Sequence, residues 1–502
     1  MTDSGKMKSL AKETAIYGVS SIVGRFLNWC LVPVYTYVLA DSSEYGIITN
    51  IYAWTALLLV ILTYGMETGF FRFVNKFEQH APVVYGSTLC SIASTSLLFV
   101  LLVFFFRNGI ASAMGYPDHV EFITIMGIVV AVDAFTAIPF AYLRYKRQAI
   151  KFAVFKLLMI FINIALNLFF LIACPVINRY HPEFISWFYD PAYGVGYIII
   201  ANLISTAATL FMLLPDIFEA SFRPDLSLLR QMLRYSLPLL VLGIAGIMNQ
   251  TVDKIIFPYL IPGQEGLRQL GIYGACFKVA MVMMMFTQAF RYAYEPFIFA
   301  QHKDTKSKEA YADAMKFFVI FSLLIFLGMV FFIDFIKLII APAYWEGLAI
   351  VPIILASYLF QGIFFNLSLW YKLTDKTQFG AWFSLLGVFI TIVLNVLLVP
   401  HIGYFGSAWA SFSCYLIIML ASYFIGQKYF PINYPLRDLA LYTLVAAALF
   451  AVSLVCTTPF PVANYAIRTI LLILFLTLIV KRDLPLSQVP VINRILKRLH
   501  LA

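Results

Sequence analysis

Residues 83–106 read VVYGSTLCSIASTSLLFVLLVFFF, without one Asp, Glu, Lys or Arg. Coiled into an α-helix at about 1.5 Å per residue, such a run crosses the roughly 30 Å of hydrocarbon in a bilayer. Runs of this kind recur along all 502 residues, which are 62% hydrophobic and 12% charged, with a mean hydropathy of +0.88. A soluble domain carries about 25% charged residues, and half of that does not cover a globular surface of this size. A soluble enzyme, a nucleic-acid binder and a disordered scaffold are therefore excluded. The composition predicts an all-α polytopic membrane protein.

Fourteen transmembrane segments are expected, at 15–38, 45–68, 83–106, 120–142, 152–173, 193–214, 236–257, 270–295, 314–334, 347–370, 379–399, 404–427, 437–456 and 462–480. The basic residues assign their direction. The segments expected inside carry 24 Lys and Arg, from Lys6, Lys8 and Lys12 to Arg494, Lys497 and Arg498. The loops expected outside carry only Arg107, Arg179, Arg268, Lys337 and Arg468. This bias puts both termini in the cytoplasm. It also accounts for the net charge of +10 without a nucleic-acid partner, because the excess is dispersed over loops. The first segment is read as a retained helix. It is longer than the roughly 7–15 residues of a signal-peptide core, and it holds Arg25 and Asn28.

Cys30, Cys90, Cys174, Cys276, Cys414 and Cys456 stand singly, which fits neither a disulfide framework nor a thiolate metal site. No loop is long enough for a domain. The longest outside loop, 174–192, is aromatic and Pro-rich; the longest inside one, 215–235, resembles an amphipathic linker. The tail from Val489 to Leu501 has the spacing of a short basic helix lying on the anionic inner leaflet.

The two halves of the chain repeat. Pro33 precedes Pro258 by 225 residues, as Gly46 precedes Gly271. Tyr145-Lys146 answers Tyr371-Lys372 at 226, and Leu166-Asn167 answers Leu394-Asn395 at 228. Six helices per repeat is an even number, so the halves run parallel about an axis along the membrane normal. The expected organisation is an N-lobe at 1–214, a cytoplasmic linker at 215–235, a C-lobe at 236–428, and a final pair of helices with a basic tail at 429–502. Two parallel six-helix lobes are the architecture of an alternating-access transporter.

Ionisable groups within spans are costly and mark candidate sites. Tyr17, Ser21, Arg25 and Asn28 form one polar stripe on the first helix. The planar guanidinium of Arg25 suits a phosphate or diphosphate in a wet cavity, or else a structural ion pair with Asp133 or another acid. By the repeat, Gln250 and Asp253 fall where Arg25 and Asn28 fall, and Lys254 follows directly. The eighth segment carries Lys278, then Gln288, Arg291 and Glu295, the last two spaced to neutralise each other. Asp133, Asp253 and Glu295 are the carboxylates that could couple transport to an ion. Mid-membrane cations roughly balance anions, so the count alone makes no cationic funnel. Asn163, Asn167, Asn366 and Asn395 are read as helix-packing residues. Catalytic triads, phosphate loops and metal-spaced ligands are absent from the sequence, so no enzymatic activity is expected.

The stretches YGVSSIVGRFLNWCLVPVYTY (17–37), YGIITNIYAW (45–54) and TYGMETGFFRF (63–73) resemble the polysaccharide-biosynthesis membrane proteins of the MOP exporter superfamily. LGIYGACFKVA (270–280), FRYAYEPFIF (290–299) and NLSLWYKLTDKT (366–377) look like its Bacteroidetes-type branch. The superfamily also holds lipid II flippases and MATE drug antiporters, and fourteen helices match the flippases better than the usual twelve of MATE proteins. The resemblance implies a flippase in the bacterial inner membrane that moves undecaprenyl-diphosphate-linked oligosaccharide, beside a glycan polymerase and ligase. It implies cavity arginines at Arg25 and Arg291, with Asn28, Lys278 and Gln250 as further cavity residues, and no cofactor beyond a coupling Na+ or H+. The alternative is a Na+- or H+-coupled multidrug antiporter, which would depend on a carboxylate such as Asp133 or Asp253.

Overall fold

The computed structural model describes residues 18–20, 22–39, 41–301 and 307–483, with side chains except at 293, 295–301 and 307. Every regular element among them is helical, as a chain must be where hydrocarbon offers the backbone no hydrogen-bond partner. In order these are α1 (Leu31–Val38), α2 (Ser42–Thr63), α3 (Met66–Lys76), α4 (Ala81–Ala113), α5 (Val120–Tyr145), α6 (Ala149–Leu168), α7 (Val195–Ile217), α8 (Leu226–Leu260), α9 (Gln264–Gln301), α10 (Ser307–Phe331), α11 (Val351–Leu367), α12 (Gln378–Ile402), α13 (Tyr404–Tyr429), α14 (Leu436–Val455) and α15 (Pro461–Arg482), with short helical turns between some of them.

Among the described residues, 13 helical runs are long and apolar enough to cross a membrane. They fall on the second to the fourteenth expected segments. The first, 15–38, extends over residues outside the description, as does the tail from Val489. Its described part is helical over 22–29, turns at Cys30 and continues as α1. Pro33 has no N–H to give the carbonyl of Trp29, four residues back, which accounts for the interruption.

The segment expected as one helix at 45–68 is two. Tyr64 (φ 30°) and Gly65 (φ 72°) take the left-handed conformation between α2 and α3. A Cβ on Gly65 would also stand 2.8 Å from the Ser236 carbonyl oxygen of α8, so glycine serves both the bend and the contact. Asp41 caps α2, accepting from the Ser42 N–H at 2.6 Å and the Ser43 hydroxyl at 2.7 Å. The Ser43 bond holds the Asp41 carboxyl below its ordinary range, helped by the Ser42 N–H and opposed by partial burial.

The chain divides into two compact units. The first comprises residues through Lys278, Ile340–Gly347 and Gln378–Cys414. Its core gathers Phe70, Tyr85, Ile138, Tyr142 and Met232. The Tyr85 and Tyr142 rings stack at 4.0 Å between centroids. Two asparagines that correspond in the repeat make the same local bond. Asn167 donates to the Asn163 carbonyl at 2.8 Å, and its counterpart Asn395 donates to the Thr391 carbonyl at 2.7 Å. Both are fully buried, which agrees with packing roles. Repeat-related glycines also meet here: a Cβ on Gly46 of α2 would lie 2.0 Å from the Leu267 carbonyl oxygen of α9, and one on Gly271 would lie 1.8 Å from that of Ser42. Only glycine admits two helix backbones this close.

The second unit comprises Val279–Ile339, Leu348–Thr377 and the chain from Tyr415. Phe318, Leu327, Tyr442 and Phe475 centre its core. Charges fasten α14 and α15 to α10 at both ends. Lys316 pairs with Asp438 at 3.1 Å and with Asp483, which also accepts from Tyr442, while Arg482 pairs with Asp438. Beyond the other end of α10, Arg468 reaches Asp334 at 2.9 Å and the Phe331 carbonyl at 3.1 Å.

Two outcomes are expected from this packing. A Cβ at Gly86 would meet the Ser221 carbonyl oxygen at 1.8 Å, whereas Gly109 has nothing within 4 Å. Gly86→Ala should cost about 1–3 kcal/mol and lower the melting temperature of the purified protein, and Gly109→Ala should not. Asp41, whose folded pKa is depressed, stabilises α2 above the unfolded carboxyl value of about 3.9 and loses that contribution as pH falls through the folded one. Thermal melts from pH 6 to pH 3 should therefore show less acid-side loss in Asp41→Asn, which keeps a capping oxygen at every pH, than in the unsubstituted protein.

Candidate functional site

In α8, Asp253 and Lys254 are 2% and 8% exposed. Successive positions on a helix point apart, yet the long Lys254 stem curls back. Its ammonium lies 2.8 and 3.1 Å from the two Asp253 oxygens and donates to the Gln250 carbonyl at 3.1 Å. It also sits 3.8 Å from the centre of the Phe277 ring, a cation–π contact. Tyr273 donates its hydroxyl to Asp253 at 2.6 Å. The pair is bound to a further chain: Asn50 of α2 donates to the Lys254 carbonyl at 2.8 Å and accepts from the Tyr116 hydroxyl at 2.9 Å. A carboxylate with an ammonium and a phenol already on it is a neutralised centre.

The first helix lies beside α9 at Trp29. The Trp29 indole N–H donates to the Lys278 carbonyl at 2.8 Å. Arg25 and Asn28 are exposed, as is Gln250 on α8, and Lys278 is half-buried. The fold thus brings Trp29 and the backbone of Lys278 together, from residues 249 positions apart.

Arg291 belongs to the second unit. Its exposed guanidinium stands 5.5 Å from the centre of the Phe365 ring, at a cavity lined also by Thr287, Phe290, Phe318 and Asn366. The enclosed space is ≈ 10 Å³, about that of one water. Gly362 admits the Phe318 ring there, since a Cβ would come within 2.2 Å of it. The Glu295 side chain lies outside the described residues.

Asp133 of α5 is half-buried and accepts from the Thr206 hydroxyl at 3.2 Å. Glu67 forms an ion pair with Arg144, and the Lys156 ammonium lies 4.0 Å from the Phe140 ring centre. Among the described residues, no group of three or more His, Cys, Asp or Glu is arranged to hold a metal ion. Sequence reasoning passed over Asn50, Tyr116, Tyr273 and Trp29. Asn50 could have been noticed, since an amide inside an apolar helix needs a partner; the others carry no signal until the helices are side by side.

This geometry can be set beside known proteins. The structure titled "Lipid II flippase MurJ, inward closed conformation" superposes with a TM-score of 0.72 at 13% identity, covering 93% of this chain and 98% of that one. An inward-facing multidrug resistance MATE family transporter of the MOP superfamily gives 0.63 at 13% identity, over 81% and 94% of the two chains. An outward-facing one gives 0.56 at 13%, over 83% and 95%. No curated protein matches. The fold is the one these structures share, and the 13 apolar helical runs among the described residues belong to a multi-pass membrane protein. A sequence-family model described as "Polysaccharide biosynthesis protein" matches residues 10–300, and the chain belongs to that family.

The neutralised centre makes a measurable expectation. Asp253→Ala leaves the Lys254 ammonium buried without its carboxylate, which should cost about 3–5 kcal/mol. Adding Lys254→Met should recover most of the lost melting temperature in detergent, and equal melts for the single and double variants would show that the two charges are not coupled.

Proposed function

We propose that this protein is a flippase that carries undecaprenyl-diphosphate-linked oligosaccharide across the bacterial inner membrane by alternating access of its two six-helix lobes, 1–214 and 236–428. The observation that carries the proposal is the exposed guanidinium of Arg25 on a first helix that lies against α9 through Trp29 and Lys278. A charge of this kind within a span is tolerated where water and an anion reach it. Family membership and the likeness to a lipid II flippase support the substrate class. Arg25 supplies the planar fork a diphosphate needs, and Asn28 and Lys278 are nearby donors. Arg291 is a second cation, and Gln250 a further polar group on α8. The glycan cannot enter hydrocarbon, so a hydrated passage shelters it while the polyprenyl tail remains in lipid. No bond in the substrate is made or broken.

The basic bias of the loops supports cytoplasmic termini. A Na+ or H+ gradient would drive the cycle through Asp133 or Asp253, with Glu295 as a third carboxylate. Glycan polymerase and ligase are the partners that would consume the product.

The test is the leaflet distribution of radiolabelled undecaprenyl-diphosphate oligosaccharide in membrane vesicles. Arg25→Ala and Arg291→Ala should each slow transfer at least roughly tenfold, the effect of losing one charge-assisted contact. The double variant should leave the lipid on the cytoplasmic face. An unchanged distribution together with altered drug susceptibility in the deletion strain would favour the multidrug antiporter instead.

A further inference from the structure

The close approach of α2 and α9 carries the symmetry of the repeat. At an offset of 225, Ser42 corresponds to Leu267, Gly46 to Gly271 and Thr49 to Gly274. Gly46 approaches the Leu267 carbonyl, and Gly271 approaches the Ser42 carbonyl. Each contact becomes the other when the halves are exchanged, so the local two-fold axis passes between the glycines. The Thr49–Gly274 contact maps onto itself: a Cβ on Gly274 would lie 2.4 Å from the Thr49 hydroxyl oxygen and 3.2 Å from its Cβ.

Position along the helices assigns this crossing to one face. Gly46 lies one turn into α2 and Gly271 two turns into α9, next to the loops that the charge bias leaves outside. Backbone against backbone leaves no side chain to swing aside, so water passes only if the helices separate. One turn further in, Asn50 ties α2 to the Lys254 carbonyl, and Tyr116 holds the other end of the Asn50 amide. At the same face, the Ala341 N–H donates to the Thr36 hydroxyl at 3.3 Å.

We propose that the Gly46–Gly271 crossing, fastened by Asn50, is the latch that closes the transport path on the extracytoplasmic side, and that it parts once in every cycle. Weak Cα–H···O and van der Waals contacts hold the glycines, so the latch is tight but separable. Closure by repeat-related residues about their own axis also lets one rocking motion open this end while shutting the other. The inference rests on the alternating-access reading.

The test uses the full chain with its native cysteines replaced. Thr49→Cys with Gly274→Cys puts two Cβ atoms close to the separation a disulfide spans, about 3.5–4.5 Å. Oxidation should cross-link the pair, stop transfer of the lipid-linked oligosaccharide and be reversed by reductant. If Gly274→Cys does not accumulate, Thr36→Cys with Ala341→Cys bridges the same face. Adding Asn50→Ala should slow cross-linking roughly tenfold, because the latch then spends less time closed. Undiminished transfer by the cross-linked protein overturns the latch, as does failure of both pairs to cross-link. An Asn50→Ala cross-linking rate equal to the parent's removes Asn50 from it. Cross-linking needs no substrate. A latch that forms and slows as expected in a protein that never moves this lipid would retire the flippase reading alone.

Discussion

Two helix backbones touch at Gly46 and Gly271, and that touch is available only because neither residue has a side chain. In water, burial of apolar surface would draw these helices together; in lipid, the tails are as apolar as leucine and that drive is missing. What remains is proximity. Short-range attraction and weak hydrogen bonds grow only when backbones come close, so small residues decide where helices cross. The same rule governs Gly65 against Ser236 and Gly86 against Ser221. Larger apolar side chains, such as Phe105 at 75% exposure, cover the lipid-facing surface instead.

A second constraint follows from the first. With so little charge in the chain, each buried ion has to be answered nearby. Lys254 answers Asp253, Lys151 answers Asp216, and Lys316 stands between Asp438 and Asp483. These pairs serve different ends. The Lys316 group and the Arg468–Asp334 pair fasten α14 and α15, which lie outside the repeat. Asp253 and Lys254 instead sit one turn inward of the glycine crossing, joined to α2 through Asn50.

Much of this was legible in the residues. Apolar runs longer than a bilayer is thick leave the backbone no choice but helix, and 13 of the expected segments stand where hydropathy put them. The offset of 225 announced the repeat in the sequence, and Asn167 and Asn395, which correspond in it, are both buried. Bends were less legible. The break at Tyr64–Gly65 depends on α8 lying alongside, and hydropathy is blind to it because both arms are apolar enough to read as one helix.

The candidate site divides in the same way. The sequence alone determined which residues were costly enough to need a reason: Arg25, Asp133, Asp253, Lys254, Lys278 and Arg291 stand out wherever they come to lie, because the price of a charge in hydrocarbon is independent of its neighbours. Only the tertiary structure decided which are answered and by what. It put Lys254 and Tyr273 on Asp253, Thr206 on Asp133 and Phe365 beneath Arg291, and it turned Gly46 and Gly271 from markers of a repeat into a contact. Partnership is a property of distance between helices, and distance between helices hundreds of residues apart is set by packing, which a string of hydropathies does not contain.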